Sequence, residues 1–429
     1  MRSTTALALF LLLVGACSSG SEIPDWALAP AQPTADTGTG TIDELATAVA
    51  APSPAVEGVV LGTPAPLATP TPAPTPTPTA TPSPPSEVRT VTFDDGERVQ
   101  FTTEQGDLSW TLAVASSRAA GQVSIIRVRA PDGETLYLAD PDGDLVLVDT
   151  LHPSLLSDSG AVGLFVTGEE GQSLPIGRWE VDVTGASGGR VSQVAITSGS
   201  FEEPQVMDIA VWGTVAIEEI PDIEALQNGW RISMSEVLSP HRLGIGRLDL
   251  VPAGDAGAPF ATLDVGDPAQ LRAACTAASE TIDPAPGTAL VVLVESLTGL
   301  TDAEAGAPSA IPGTSYLGPA SHGCAIVPAG DVAAEQGVVA LHQILHQAGL
   351  AQHTTARDGL TFDDLSDTPE CPLREADRNA DLEVSAEECA AGGGAENVMF
   401  WADGAELEGP RTLTPGQAAR VRAHPLTHS

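Results

Sequence analysis

Ten prolines crowd into 24 residues at positions 63–86, mostly as Thr-Pro or Ala-Pro. Proline fixes φ and removes a backbone donor, so this stretch can join neither a helix interior nor a central strand. It favours polyproline II, and at ~3.1 Å per residue it reaches ~75 Å. The rest of residues 18–87 is Ala, Pro, Thr, Ser and Gly with scattered acids. Such a composition buries no core. Residues 18–87 therefore read as a disordered Pro/Thr-rich stalk, and any folded body must lie beyond them.

Ahead of the stalk, Arg2 precedes an apolar run over residues 6–14. That run is far short of the roughly 20 residues a spanning helix needs. Gly15 and Ala16 follow, then Cys17, the pattern of an export signal. Val14-Gly15-Ala16-Cys17 resembles a bacterial lipobox. The resemblance implies that residues 1–17 are a lipoprotein signal and that Cys17 is lipidated. The expected location is exported and lipid-anchored to the bacterial envelope, at the outer membrane or cell surface. Membrane contact is expected through the anchor only. An ordinary export signal with an incidental Cys is the alternative.

Acidic residues outnumber basic ones by 57 to 18, a formal charge of −39, and every basic residue is Arg. This surface repels phosphate, which excludes nucleic acid and anionic lipid headgroups as partners.

Two folded regions follow the stalk. Over residues 88–200 the pattern is period-two strands with turn punctuation. Strands are expected at 91–93, 108–114, 123–128, 135–138, 145–148 and 179–183, with tight turns at Pro131-Asp-Gly133 and Pro141-Asp-Gly143. Short strands at this spacing predict an all-β sandwich. Pro175-Ile-Gly177-Arg-Trp179-Glu-Val181-Asp-Val183 resembles the closing strand of jelly-roll modules appended to secreted bacterial proteases. Over residues 201–429 strands alternate with helices. Strands are expected at 208–212, 248–250 and 289–294, and helices at 222–238 and 268–279. Ile223, Leu226, Trp230 and Ile232 are expected on one face of the first helix. This alternation predicts an α/β (α+β) domain, a mixed sheet with helices packed on it.

A further helix is expected from an Asp331 N-cap to Gly349. It carries His342 and His346. Four residues apart, two imidazoles project from one helix face and can share one tetrahedral Zn²⁺. Gly349 permits a sharp turn that returns a third ligand, with His353 next in line. The bland alternative is two unrelated His that happen to lie four apart.

The run His342-Gln-Ile-Leu-His346-Gln-Ala-Gly349-Leu-Ala-Gln-His353 resembles the metzincin zinc signature, H-E-x-x-H-x-x-G-x-x-H. Asp367-Thr-Pro369 with Cys371 just after it is similar to a stretch of the pappalysin family of metzincins. Asn397-Val-Met399 resembles that family's Met-turn, and Leu413-Thr-Pro-Gly-Gln417 the opening of its last helix. Ile311-Pro-Gly313 and Ser321-His-Gly-Cys324 resemble its loop and substrate-edge strand. The resemblance covers about residues 207–429. It implies a zinc metallopeptidase fold, zinc held by His342, His346 and His353, Met399 beneath the metal, and a peptide or protein as substrate or ligand.

Three departures from that pattern bear on hydrolysis. Gln343 stands where the family has its general-base Glu, which takes a proton from the attacking water. An amide cannot do so, and losing such help costs roughly 10²–10⁴ in rate. His353 stands one residue late, so either the turn bulges to keep it, or Gln352 faces the metal, or only two ligands remain. Trp401 occupies the place of a Tyr that stabilises the tetrahedral intermediate, and Tyr316 is the only Tyr of this region. Together these predict a zinc-binding pseudoprotease. The alternatives are an active zinc endopeptidase with an atypical site, and a structural or adhesive envelope lipoprotein whose metal site has decayed.

From Arg357 to Glu408 there are 15 acidic residues against three Arg. Asp377, Asn379, Asp381, Ser385 and Glu388 place oxygens at positions 1, 3, 5, 9 and 12 of an EF-hand-like loop that also carries Glu383, with Leu382 where the turn wants Gly. Calcium is expected there; the alternative is a solvated acidic loop. Asp363, Asp364 and Asp367 offer a second oxygen-rich group. Setting Cys17 aside leaves Cys275, Cys324, Cys371 and Cys389, an even set in an exported chain. Of three possible pairings, Cys371–Cys389 with Cys275–Cys324 is preferred because the first would clamp the acidic loop; a Cys₂His₂ zinc site is the alternative, without a C-x₂-C spacing to support it.

Overall fold

The structure is a computed structural model. It describes residues 87–429 except 95–97, 117–122, 139–150, 159–160, 169–171, 186–189, 201–202, 215–222, 300–306, 310–322, 331, 391, 393 and 403–409. Cys17, residues 18–86 of the stalk, the expected strand at 145–148, Tyr316 and Asp331 lie outside the described residues. No helix among those described is long and apolar enough to cross a membrane.

The first part is built from β1 (Glu87–Asp94), β2 (Arg98–Thr103), β3 (Asp107–Ser116), β4 (Val123–Arg129), β5 (Thr135–Leu138), β6 (Leu151–Asp158), β7 (Ala161–Gly168), β8 (Gly177–Gly185) and β9 (Arg190–Ser198). They form two antiparallel sheets, ordered β1-β9-β3-β7-β6 and β2-β8-β4-β5. One core joins both: Phe101 and Trp179 from one sheet meet Trp110 and Leu164 from the other. The Trp110 and Trp179 rings pack edge to face at 5.3 Å, a favoured aromatic geometry. The Trp179 indole N–H donates to Thr103 Oγ1 at 2.9 Å, which satisfies the one polar atom this large side chain buries.

The second part runs β10 (Gln205–Gly213), α1 (Ile223–Leu238), β11 (Leu243–Pro252), β12 (Thr262–Asp264), α2 (Pro268–Ile282), β13 (Thr288–Val294), β14 (Ser296–Thr298), β15 (Ala307–Ser309), β16 (Cys324–Pro328), α3 (Ala333–Gln347), α4 (Leu373–Ala376), α5 (Ala386–Cys389), α6 (Pro415–Ala423) and β17 (Thr427–His428). Its main sheet is ordered β11-β10-β13-β16-β15. Neighbours are parallel except β15, which runs antiparallel at the edge, while short β17 pairs antiparallel with β10. β12 and β14 form a small parallel pair. Every residue of β13 is buried, as expected of a strand covered on both faces. Val291 and Leu293 face the core shared with α1 and α3, while Leu290 and Val292 face the core shared with α2. The architecture is therefore mixed, several β-sheets followed by helices.

Three details differ from the sequence expectation. α1 buries Leu226, Trp230, Met234, Val237 and Leu238, and Ile232 is 61% exposed. Ile232 lies two residues past Trp230, about 200° around the helix, off the buried stripe. α3 begins at Ala333 with Val332 at its N-cap and no side-chain cap. Strands β2, β6, β7 and β9 of the first part, and the short β12, β14, β15 and β17 of the second, appear beyond the expected set. In β7, residues 162–167 are all buried, so the alternation that reveals a half-buried strand is missing.

The described residues, from 87 to 429, fall in one compact unit. The two parts meet through Leu108, Phe165 and Ala423, which share a small cluster, and through a hydrogen bond from Ser109 Oγ to Ala423 O. Two disulfides brace the second part. Cys275–Cys324 ties α2 to β16, with Cα atoms 5.5 Å apart, and Cys371–Cys389 closes the acidic loop at 5.8 Å.

Candidate metal centre

α3 drives Leu341, Ile344 and Leu345 into the core beneath the sheet. Its contact with α1 is close because Gly229 leaves room: a Cβ there would lie 2.7 Å from Ala333 Cβ. This fixes the face on which His342 and His346 stand, one turn apart. Helix α3 stops at Gln347, and Gly349 takes φ +95°, a conformation that side chains rarely adopt. The chain turns back, and His353 reaches the same point as the other two.

The three rings converge through their Nε2 atoms. His346 Nε2 lies 3.1 Å and His353 Nε2 3.2 Å from His342 Nε2. The opposite nitrogens decide the tautomers. His342 Nδ1 is 2.6 Å from Val398 O, and His346 Nδ1 is 2.7 Å from Leu350 O. A carbonyl only accepts, so each Nδ1 carries the proton and donates. Both Nε2 atoms of the neutral rings are then bare lone pairs facing each other, an arrangement that calls for a cation between them. A tetrahedral ion with Zn–N bonds of ~2.05 Å sets its ligands ~3.3 Å apart, close to the separations found. A metal-bound His ordinarily donates its far N–H to a carbonyl or carboxylate in this way, which fixes its tautomer and ring orientation.

Protons are poor substitutes for that cation. Burial pushes His342 down to about 4. Burial, then the neighbouring His342, pushes His346 down to about 3. Burial, then His346 and His342, holds His353 well below the ordinary value. All three rings are neutral at pH 7, the form a metal requires. Among the described residues this is the one group of three or more His, Cys or carboxylate side chains whose ligand atoms gather, all within 4.8 Å of one another.

The Asn397–Met399 segment braces the centre. Val398 O orients His342, and Met399 O accepts from the Thr354 amide at 2.9 Å, just after His353. Asn397 Oδ1 accepts from the Met399 amide, and Asn397 Nδ2 donates to Gln417 Oε1 at 2.8 Å. Gln417 completes a capping box with Thr414 at the start of α6. Met399 is fully buried in the same core as Leu341 and Ile344. The carbonyls of Val398 and Leu350 are site groups that no side-chain pattern reveals.

The remaining expected residues divide. His353, not Gln352, joins the cluster; Gln352 is exposed. Gln343 is 5% exposed, and its Oε1 is buried without a hydrogen-bond partner. Trp401 does not offer a free donor: its indole N–H is given to Val384 O at 2.7 Å, and Arg357 stacks over its ring. The indole thus packs the disulfide-closed lobe with Cys371, Val384 and Cys389.

In that lobe the expected calcium oxygens are turned onto the loop's own backbone. Asp377 accepts from the Ala380 and Leu382 amides, Asn379 from Asp381, and Asp381 from Glu383. Glu388 caps Ser385 and accepts from the Arg378 amide; these amides lower its carboxyl. Glu383 pairs with Arg357 at 2.6 Å. Leu382 sits at φ +70° and is 71% exposed, so the turn is made there without glycine. Asp363, Asp364 and Asp367 do not form a second oxygen-rich site. Asp364 pairs twice with Arg420, Asp367 accepts from Thr414 and Gly416, and Asp363 accepts from Thr368 and the Leu365 amide.

Fold and site together define a mixed α/β protein with a buried three-histidine cluster of metal-ligating geometry. No protein-family model matches the chain, and no curated protein matches it.

Proposed function

We propose that the chain is an exported, lipid-anchored protein whose second part is a pappalysin-like metzincin domain that binds zinc and hydrolyses peptides weakly or not at all. The observation that carries the metal reading is the convergence of two bare Nε2 lone pairs at 3.1 Å, with both Nδ1 protons committed to carbonyls. His342, His346 and His353 would hold the ion. When bound, zinc would supply a Lewis acid that polarises a carbonyl. The protein's own side of the chemistry is incomplete. Gln343 can accept a hydrogen bond through its unpartnered Oε1 and so orient a water or a ligand, but it cannot carry a proton. Trp401 spends its N–H elsewhere. A peptide or protein ligand is the partner this reading calls for. We further propose that the loop from Asp377 to Glu388 closes on calcium, supported by its oxygen spacing and by the left-handed turn of Leu382 at the position where such loops turn.

The test of the impaired-hydrolysis reading is peptidase activity of the zinc-loaded full chain beside its Gln343→Glu variant. Wild type should be inert or nearly so. The variant should gain about 10² or more, the scale of general-base help. Chelator-sensitive cleavage by wild type at ordinary protease rates would favour an active endopeptidase instead.

A further inference from the structure

Phe165 lies on β7 with its ring turned away from the sandwich core. Leu164 and Val166 join the core around Trp110 and Trp179, whereas Phe165 groups with Leu108 and Ala423. It is fully buried, and its ring centre lies 4.8 Å from that of His424. It also meets the turn that follows α3. A Cβ on Gly349 would lie 2.6 Å from Phe165 Cδ1 and 2.8 Å from Cε1, so the ring covers the bare Cα of that residue.

Gly349 is the pivot of the cluster. His346 precedes it by three residues. Leu350, next in the chain, supplies the carbonyl that fixes the His346 tautomer, at 2.7 Å. His353 follows Gly349 by four residues. Backbone bonds that hold the turn include Gly349 N to His346 O at 3.4 Å, Leu350 N to Leu345 O at 3.0 Å and Thr354 N to Met399 O at 2.9 Å. Between the last two, Gln352 is exposed and Ala351 half-buried. A residue without a side chain has nothing of its own to pack, and here the packing comes from the sandwich.

We infer that Phe165 is a positioning residue for the metal centre, through which the β-sandwich holds the Gly349 turn in its ligating shape. This rests on the metal reading above. Its physical basis is that a ring packed on Gly349 limits how far Leu350 O and His353 can move relative to α3. Groups that orient ligands from outside the coordination shell change metal affinity by about 10–100-fold when removed.

The experiment uses the full chain. Zinc affinity is measured by competition with a chromophoric chelator, and amide hydrogen exchange is followed across residues 346–354 of the metal-free protein. Phe165→Ala should weaken zinc by about 10–100-fold and speed exchange at Leu350 and Thr354. Phe165→Leu should recover much of both, and it carries the test if the alanine variant does not fold. Leu108→Ala loosens the same contact without removing the atoms nearest Gly349, so it should leave both readouts near wild type. Phe165→Ala binding zinc as wild type does, or Leu108→Ala matching its losses, overturns the inference. Wild type that takes up no zinc sinks the metal reading and this inference with it. Zinc-binding wild type with an indifferent Phe165→Ala sinks this inference alone.

Discussion

His424 shows what burial does to one imidazole in this fold. Its Nδ1 accepts from the Leu426 amide at 3.2 Å, so its proton sits on Nε2, which is buried without a partner. Burial pushes it down to about 3. Above the ordinary His value near 6.5 the residue is neutral whether folded or not, and contributes no pH dependence. Below that value the unfolded chain takes a proton that the folded chain refuses until about pH 3. Stability therefore falls as pH drops through this window, by up to ~1.4 kcal/mol per pH unit for this residue. The check is denaturant unfolding from pH 7 to pH 4. His424→Asn should flatten the slope by about one proton relative to wild type; an unchanged slope would show that His424 is protonated in the folded state. At this scale the sequence was informative where side chains carry the chemistry. His342 and His346 are legible because four residues is one helical turn. The donors' partners, Val398 O and Leu350 O, are not, because a backbone carbonyl has no letter.

Among elements, the turn after α3 and the acidic loop contrast. The sequence leaves the third ligand open, since His353 stands one residue beyond the expected spacing. The structure brings His353 to the other two rings through Gly349 at φ +95°, whose geometry depends on contacts outside the helix. α1 was legible as a helix, yet Ile232 was not recognisable as exposed, because apolar residues also occupy helix surfaces. Strands β7 and β9 hid for the opposite reason. In β7 both faces are covered, and in β9 residues 194–197 are buried without alternation, so neither displays the period of two. The cysteine pairs were legible because Cys371–Cys389 closes a short loop, 18 residues apart in sequence. For that loop, calcium binding predicts a measurable linkage. Calcium in excess should raise the melting temperature over that in chelator, by RT ln(1 + [L]/Kd) in free energy. Asp381→Ala should abolish the difference. Identical melts of wild type with calcium and with chelator would leave the loop standing on its own backbone hydrogen bonds and its disulfide.

For the whole molecule, two cores of different origin converge on one site. The sandwich closes around Trp110 and Trp179, the mixed sheet around Val291, Leu293 and α3, and each was foreshadowed by its own periodicity. Their meeting at Phe165, Ala423 and His424 was not, since no local pattern encodes which outer face of a sheet will be covered. The proposal stands on the ion that His342, His346 and His353 would hold. X-ray absorption at the zinc edge, on full chain purified without added metal and after reconstitution, tests it most directly. The account predicts one zinc per chain with imidazole scattering from three nitrogens at ~2.0–2.1 Å, reduced to two by His353→Ala. Absence of stoichiometric zinc after reconstitution, or a zinc whose spectrum is untouched by His342→Ala, would contradict it.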